Sequence, residues 1–198
     1  TAFKTEDSPI LLQRKTFLDR AFDQSLLTAQ SSRDPSTKVG AAIYRPDNTL
    51  ASAGYNGFPR GVRDLPERYA DRPTKYLFVV HAELNAILTA REPLHGYSLY
   101  STLFPCAACA GAIIQAGIKQ VYCPQPSKEE IERWGQSFEV AKTMFDEAMV
   151  GVRTEAGLLV TFRDAECEDD PASILQEEPA QTLPERFLRW WQQKSAGL

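Results

Sequence analysis

The sequence predicts an α/β fold in which helices cover a layered sheet, and three observations predict it. Two short apolar runs flank a turn-rich pentapeptide, and helical and strand-like patterns alternate after it. The 198 residues, 43% of them hydrophobic, are enough for one well-buried core and short for two. One main domain over residues 1–163 and a tail over 164–198 is the expected division.

The elements follow in order. Phe17, Leu18, Ala21, Phe22 and Leu26 recur at helical spacing, which predicts an amphipathic helix from about Leu11 to Ala29. The polar, Pro-containing stretch Ser31 to Lys38 ends it. Val39 to Tyr44 and Leu50 to Tyr55 flank Arg45-Pro46-Asp47-Asn48-Thr49 and predict a β-hairpin. Gly54 to Arg72, rich in Gly, Pro and Arg and without periodicity, is expected to be a long loop, and such loops in compact domains are usually functional. Helical patterns then cover His81 to Arg91, Pro105 to Ala116 (closed by Gly117) and Ser137 to Met149. Strand-like patterns cover Tyr97 to Leu103, Val121 to Cys123, Val152 to Thr154 and Leu158 to Phe162.

Beyond Phe162 the composition changes. Glu166 to Asp170 is acidic, Pro171, Pro179 and Pro184 break the pattern, and a short helix is expected over Pro184 to Lys194. Its Trp190 and Trp191 are read as packing residues, against the domain or a neighbouring subunit, with a base-stacking platform as the alternative.

A net charge of −4 argues against a protein whose main affinity is for nucleic-acid phosphates, since such binders show a basic face. A small anionic ligand needs only a local basic pocket. Thr1 to Leu12 lack the apolar core and basic flank of a signal peptide, and no apolar run has membrane-spanning length, so a soluble cytoplasmic protein is expected. Four cysteines do not make a disulfide scaffold at this length. Two of them form a Cys-x-x-Cys pair, which in a reducing compartment means metal or redox chemistry.

The chemistry is concentrated in His81-Ala82-Glu83 and in Pro105-Cys106-Ala107-Ala108-Cys109. One imidazole and two thiolates supply the three protein ligands of a catalytic zinc and leave its fourth position for water, with Glu83 free as a base. Pro105 suits a first helical position, and Cys106 and Cys109, one turn apart, can point to one side. The positive end of a helix dipole favours the thiolates that bind metal. Taken singly, the Cys pair could equally be a structural metal half-site or a redox pair, and His-x-Glu has little specificity. Their conjunction is the signature of zinc deaminases. His95 lacks a metal partner at useful spacing and is read as a loop residue, Cys123 as a core thiol, and Cys167 as incidental.

An anionic substrate needs donors, and Arg60, Arg63, Arg68, Arg72 and Lys75 cluster in and after the long loop. Asp64, Glu67 and Asp71 are interleaved, so a solvated mixed-charge surface is the competing reading. Arg60, in its Gly-flanked turn, is singled out, with Ser32, Arg33 and Lys38 as a second set.

At these motifs the chain resembles the cytidine and deoxycytidylate deaminase superfamily, and within it the deoxycytidylate (dCMP) deaminases. The likeness is carried by Ser32-Arg33-Asp34-Pro35-Ser36-Thr37-Lys38-Val39-Gly40, Gly54-Tyr55-Asn56-Gly57-Phe58-Pro59-Arg60-Gly61, Thr74-Lys75-Tyr76, His81 to Ile87, Leu103 to Cys109, and Ile114 to Lys119. Phe104 stands before the Pro-Cys pair where tRNA adenosine and riboflavin-type deaminases usually have Glu. The resemblance implies a three-layer α-β-α sandwich with a central mixed five-stranded sheet, one Zn2+ per active site, and conversion of dCMP to dUMP with release of ammonia. It also implies that Asn56 hydrogen-bonds the sugar or base, that the Ala82 backbone contacts the pyrimidine, and that Glu83 moves protons between water, N3 and the departing amine. A homo-oligomer, and dCTP with Mg2+ as effector, belong to the same implication, with the Gly57 to Arg63 loop as the effector element. The chain departs from the pattern at Pro124-Gln125-Pro126-Ser127 and Ile131 to Gln136, a region that can line the nucleotide pocket. The exact substrate therefore stays open at this point between dCMP, dCTP, a 5-modified dCMP and a nucleoside. A non-catalytic nucleotide-sensing module and a nucleic-acid editor are the further alternatives, the first disfavoured by the intact Glu83 and the second by the acidic balance.

Overall fold

The computed structural model describes residues 16–154 and the strand 157–160. Helix α1 runs Phe17–Ala29, and its start is fixed by a capping box in which Thr16 accepts from the Asp19 N–H while the Asp19 carboxylate accepts from the Thr16 N–H. Strands β1 (Gly40–Tyr44) and β2 (Leu50–Tyr55) form the predicted hairpin, paired antiparallel. Two short helices follow, α2 (Pro66–Ala70) and α3 (Arg72–Phe78), and then α4 (Ala82–Thr89), β3 (Ser98–Ser101), α5 (Ala107–Gln115), β4 (Gln120–Tyr122), α6 (Lys128–Glu147), β5 (Gly151–Thr154) and β6 (Gly157–Val160).

One mixed sheet has the order β2-β1-β3-β4-β5-β6. β1 pairs antiparallel with β2 and β3, β3–β4 and β4–β5 are parallel, and β6 adds antiparallel at the far edge, so the five-stranded sheet implied by the resemblance carries one strand more. Alternation along β1 divides the core. Ala42 and Tyr44 face α1 with Leu18, Phe22 and Tyr100, while Ala41 and Ile43 lie in the larger cluster with Ala82, Ala86, Ile113, Phe138 and Phe145 from α4, α5 and α6. Helices on both faces explain why every residue of β1 is buried. The result is the three-layer α-β-α sandwich.

Two glycines set the distances between layers at the hairpin. A Cβ on Gly40 would stand 2.5 Å from the Ala29 nitrogen in α1, and one on Gly54 would stand 2.6 Å from the Ala82 carbonyl oxygen and 2.7 Å from the Asn85 carbonyl carbon in α4. These neighbours are backbone and cannot rotate away. Gly54→Ala is therefore expected to destabilise the fold by about 3 kcal/mol, as overpacking does where nothing yields, and denaturant unfolding measures it.

Four predicted boundaries are corrected. The segment expected to be loop from Gly54 to Arg72 contains α2 and the start of α3, each only a turn or two long and each opened by a proline, Pro66 and Pro73, in its first turn. Helix α6 begins at Lys128 and not near Ser137, started by a capping box between Ser127 and Glu130. α1 begins at Phe17. Pro105 precedes the N-cap Cys106 and is not the first helical residue, because Cys106 itself has extended backbone angles (φ −74°, ψ 170°). The start proposed at Leu11, the 184–194 helix with Trp190 and Trp191, Cys167 and the 164–198 tail lie outside the described residues. Among the described residues no helix is long and apolar enough to cross a membrane.

Candidate active site

Helices α4 and α5 begin side by side on one face of the sheet, and their N-caps are His81 and Cys106. Neither N-cap side chain makes a capping hydrogen bond. Both are thus available to each other: His81 Nδ1 lies 3.4 Å from Cys106 Sγ and 3.4 Å from the Sγ of Cys109, one turn into α5. The three ligand atoms all fall within 4.8 Å of one another. Beside them Glu83 is 3% exposed, its Oε2 accepting from Cys109 Sγ at 3.5 Å and its Oε1 from the Ser101 hydroxyl at 3.3 Å.

The electrostatics follow from this crowding. Burial pushes the Glu83 carboxyl above the ordinary range, and attraction to His81 only partly offsets it. The Cys106 thiol is held well below the ordinary value by hydrogen bonds from Cys109 and His81, which outweigh its burial. The shared hydrogen bond with Cys106, burial and the nearby Glu83 charge push Cys109 the other way. The hydrogen bond with Cys106 raises His81, against its burial. One imidazole nitrogen and two sulfurs within reach of a common point form a soft, three-donor set with a carboxylate next to it. That set fits a zinc ion with an open coordination position, and among the described residues it is the His/Cys/Asp/Glu group able to hold a metal.

His81, Cys106 and the neighbouring Glu83 line a cavity of about 260 Å3, whose wall also includes Val39, Asn56, Ala82 and Phe104. Ala82 is fully buried as the first residue of α4, where backbone N–H groups have no partner within the helix. Asn56 is buried and joins two loops: its Oδ1 accepts from the Val39 N–H at 2.8 Å, its Nδ2 donates to the Thr37 carbonyl at 2.9 Å, and its own carbonyl accepts from the Ser32 hydroxyl at 2.8 Å. One amide N–H of Asn56 is left over for a ligand.

The cation cluster separates into different roles. Arg60 is exposed and lies off the cavity wall. Arg33 pairs with Asp64 at 3.1 Å, and Arg68 lies 4.6 Å over the Phe78 ring. Arg72 and Lys75 do line the cavity, joined by Arg133 and Trp134 of α6. Arg133 and Trp134 belong to the Ile131 to Gln136 stretch that the sequence marks as able to line a pocket, and the Ser127-x-x-Glu130 box extends α6 to include them. Lys75, 7% exposed, is held by Asp34 Oδ2 at 3.1 Å and the Ser36 hydroxyl at 2.8 Å. His95 is exposed beside Gly117, and Cys123 is fully buried.

Asp34 yields a pH prediction. Burial would raise its pKa, but the Ser36 and Thr37 N–H groups, the Ser36 hydroxyl and Lys75 together hold it below the ordinary 3.8. A depressed folded-state pKa contributes stability above the unfolded value that is lost as pH falls through the folded one. Asp34→Ala also strands a buried ammonium, so a loss of about 3 kcal/mol is expected at pH 7. The difference from the parent protein should shrink below about pH 4, read from urea midpoints at several pH values.

Residues 15–125, more than half of the chain, match the family model of the cytidine and deoxycytidylate deaminase zinc-binding region. The chain belongs to the cytidine and deoxycytidylate deaminase family. Among this family's members, the uncharacterized deaminase of the luxG 3' region of Aliivibrio fischeri is 44% identical over 133 residues, which are 67% of this chain and 89% of that protein. The deoxycytidylate deaminase of Mus musculus is 50% identical over 103 residues, 49% of this chain and 58% of the mouse enzyme, so the match spans less than two thirds of that relative. The crystal structure of the family's dCMP deaminase from cyanophage S-TIM5, in complex with dCMP and dUMP, aligns with a TM-score of 0.53 at 27% identity, over 67% of this chain and 92% of that one.

Proposed function

We propose that this deaminase is a zinc-dependent hydrolase converting dCMP to dUMP and ammonia. The observation that carries the reading is the buried Glu83 carboxylate beside the His81, Cys106 and Cys109 cluster at a cavity of nucleotide size. The names and ligands of the animal and phage relatives favour dCMP over other cytosine compounds. His81 and the two cysteines would hold the ion, which when bound supplies a Lewis acid that makes water acidic near neutral pH.

The remaining work falls to the protein's own residues. Glu83, whose burial makes its carboxyl a readier proton acceptor, takes a proton from the attacking water and gives it to N3. Water oxygen joins C4, and Glu83 then moves a second proton to the exocyclic nitrogen. The C4–N bond breaks, and ammonia and the C4 carbonyl of dUMP result. The Ala82 backbone contacts the pyrimidine, and the spare Asn56 amide N–H serves the sugar or base. The catalytic unit is residues 1–163, the protein acts in the cytoplasm as a homo-oligomer, and dCTP with Mg2+ is its effector.

Ammonia release from dCMP by zinc-loaded protein, with and without dCTP and Mg2+, tests the reading. Turnover supports it, and stimulation by dCTP supports the regulatory part. Silence on dCMP under both conditions sinks the substrate assignment, and turnover of dCTP, 5-modified dCMP or deoxycytidine would then replace it.

A further inference from the structure

The cavity lined by Glu83 is lined also by residues of α3 and α6, of which Arg72, Tyr76 and Arg133 are exposed and Trp134 is half-buried. Tyr76 and Trp134 meet edge to face with ring centroids 5.2 Å apart, so the two helices touch there. Arg72 stands one helical turn before Tyr76, and Arg133 directly precedes Trp134. Each helix therefore contributes one guanidinium to the lining of the same cavity. Of the three cations on the cavity wall, Lys75 is already neutralised by Asp34. Arg72 and Arg133 are exposed and form no salt bridge among the described residues.

Two guanidinium groups held in no salt bridge focus a positive potential on the concave site they line, even on a chain of net charge −4 and with Glu129 one turn before Arg133. Guanidinium forks match the oxygens of a phosphate and bind it more specifically than an ammonium does. Val39 and Phe104 give the cavity apolar wall suited to a flat ring, and Arg72 and Arg133 offer charge for a dianion. A molecule with a planar base at one end and a phosphate at the other satisfies both. Helix α6 lies beyond residues 15–125, so this part of the cavity wall stands outside the segment that matches the family model.

We propose that Arg72 and Arg133 clamp the 5′-phosphate of the bound nucleotide, and that α6 thereby sets the site's preference for nucleotide over nucleoside. The proposal rests on reading the cavity as a pyrimidine-nucleotide site.

Calorimetric titration of the zinc-loaded full chain with dUMP and with deoxyuridine tests it independently of turnover. The parent protein should prefer dUMP. Arg72→Ala and Arg133→Ala should each lower the dUMP-to-deoxyuridine affinity ratio about tenfold, with Arg133→Lys keeping part of it. An unchanged ratio in Arg133→Ala overturns the clamp, as does a parent protein without preference for dUMP. Selectivity that depends on both arginines, in a protein that releases no ammonia from dCMP, would support the clamp and sink the dCMP substrate assignment alone.

Discussion

Glu83→Gln is expected to lower kcat on dCMP by about a hundred- to ten-thousand-fold, the range spanned by loss of a positioned general acid–base, while zinc content stays that of the parent protein. Glutamine keeps the shape of the side chain and an oxygen for the Ser101 hydroxyl, which lies 3.3 Å from Glu83 Oε1. What it lacks is a proton that can come and go. Glu83 also stands outside the three-residue donor cluster, so its loss should not release the ion. Paired measurements of kcat and of zinc per chain separate the possibilities. A rate near that of the parent would remove Glu83 from the chemistry, and a fall in bound zinc would make it a ligand or a support for one.

The second large effect is expected at Cys109. Removing its sulfur leaves His81 and Cys106, and two protein ligands do not retain a catalytic zinc against dialysis. Cys109→Ala should therefore lose both its metal and its turnover, and added zinc should restore little. Elemental analysis after gel filtration reads the metal directly. Near-full occupancy in this variant would exclude Cys109 from the ligand set. Cys123→Ala is the matched control, since that thiol is fully buried in the core, outside the donor cluster, and its replacement should leave zinc in place.

Much of this site was legible in the sequence because its parts are local. His81 and Glu83 lie two residues apart, Cys106 and Cys109 one turn apart, and each pair sits at the start of a helix. The hairpin was equally plain from its central turn. What escaped has physical reasons. α2 and α3 are too short for a 3.6-residue period to register, and the first half of α6 is broken by Gly135 and crowded with charge, so its apolar face is thin until Phe138. The role of each cation was hidden more deeply. Lys75 and Asp34 are 41 residues apart in the chain, and only the fold brings them together. Arg60 was chosen for its glycine-flanked turn, but local sequence does not say which way a surface arginine faces, and the cavity wall took Arg72 and Arg133 instead.

The hairpin glycines carry a consequence for how this molecule can vary. At most interfaces between helix and sheet, side chains interdigitate, and a change on one side can be absorbed by repacking on the other. At Gly40 and Gly54 there is no such cushion, because strand backbone rests almost directly on the backbones of α1 and α4. The spacing from the outer face of α1, through the hairpin, to the helix that starts at His81 is thus a stack of main chains with a fixed thickness. Loops and surface faces can drift in sequence, but that thickness cannot be retuned one residue at a time. A substitution on the buried side of α1, far from the metal ligands, would be passed through the stack and reach the cavity as a displacement of α4.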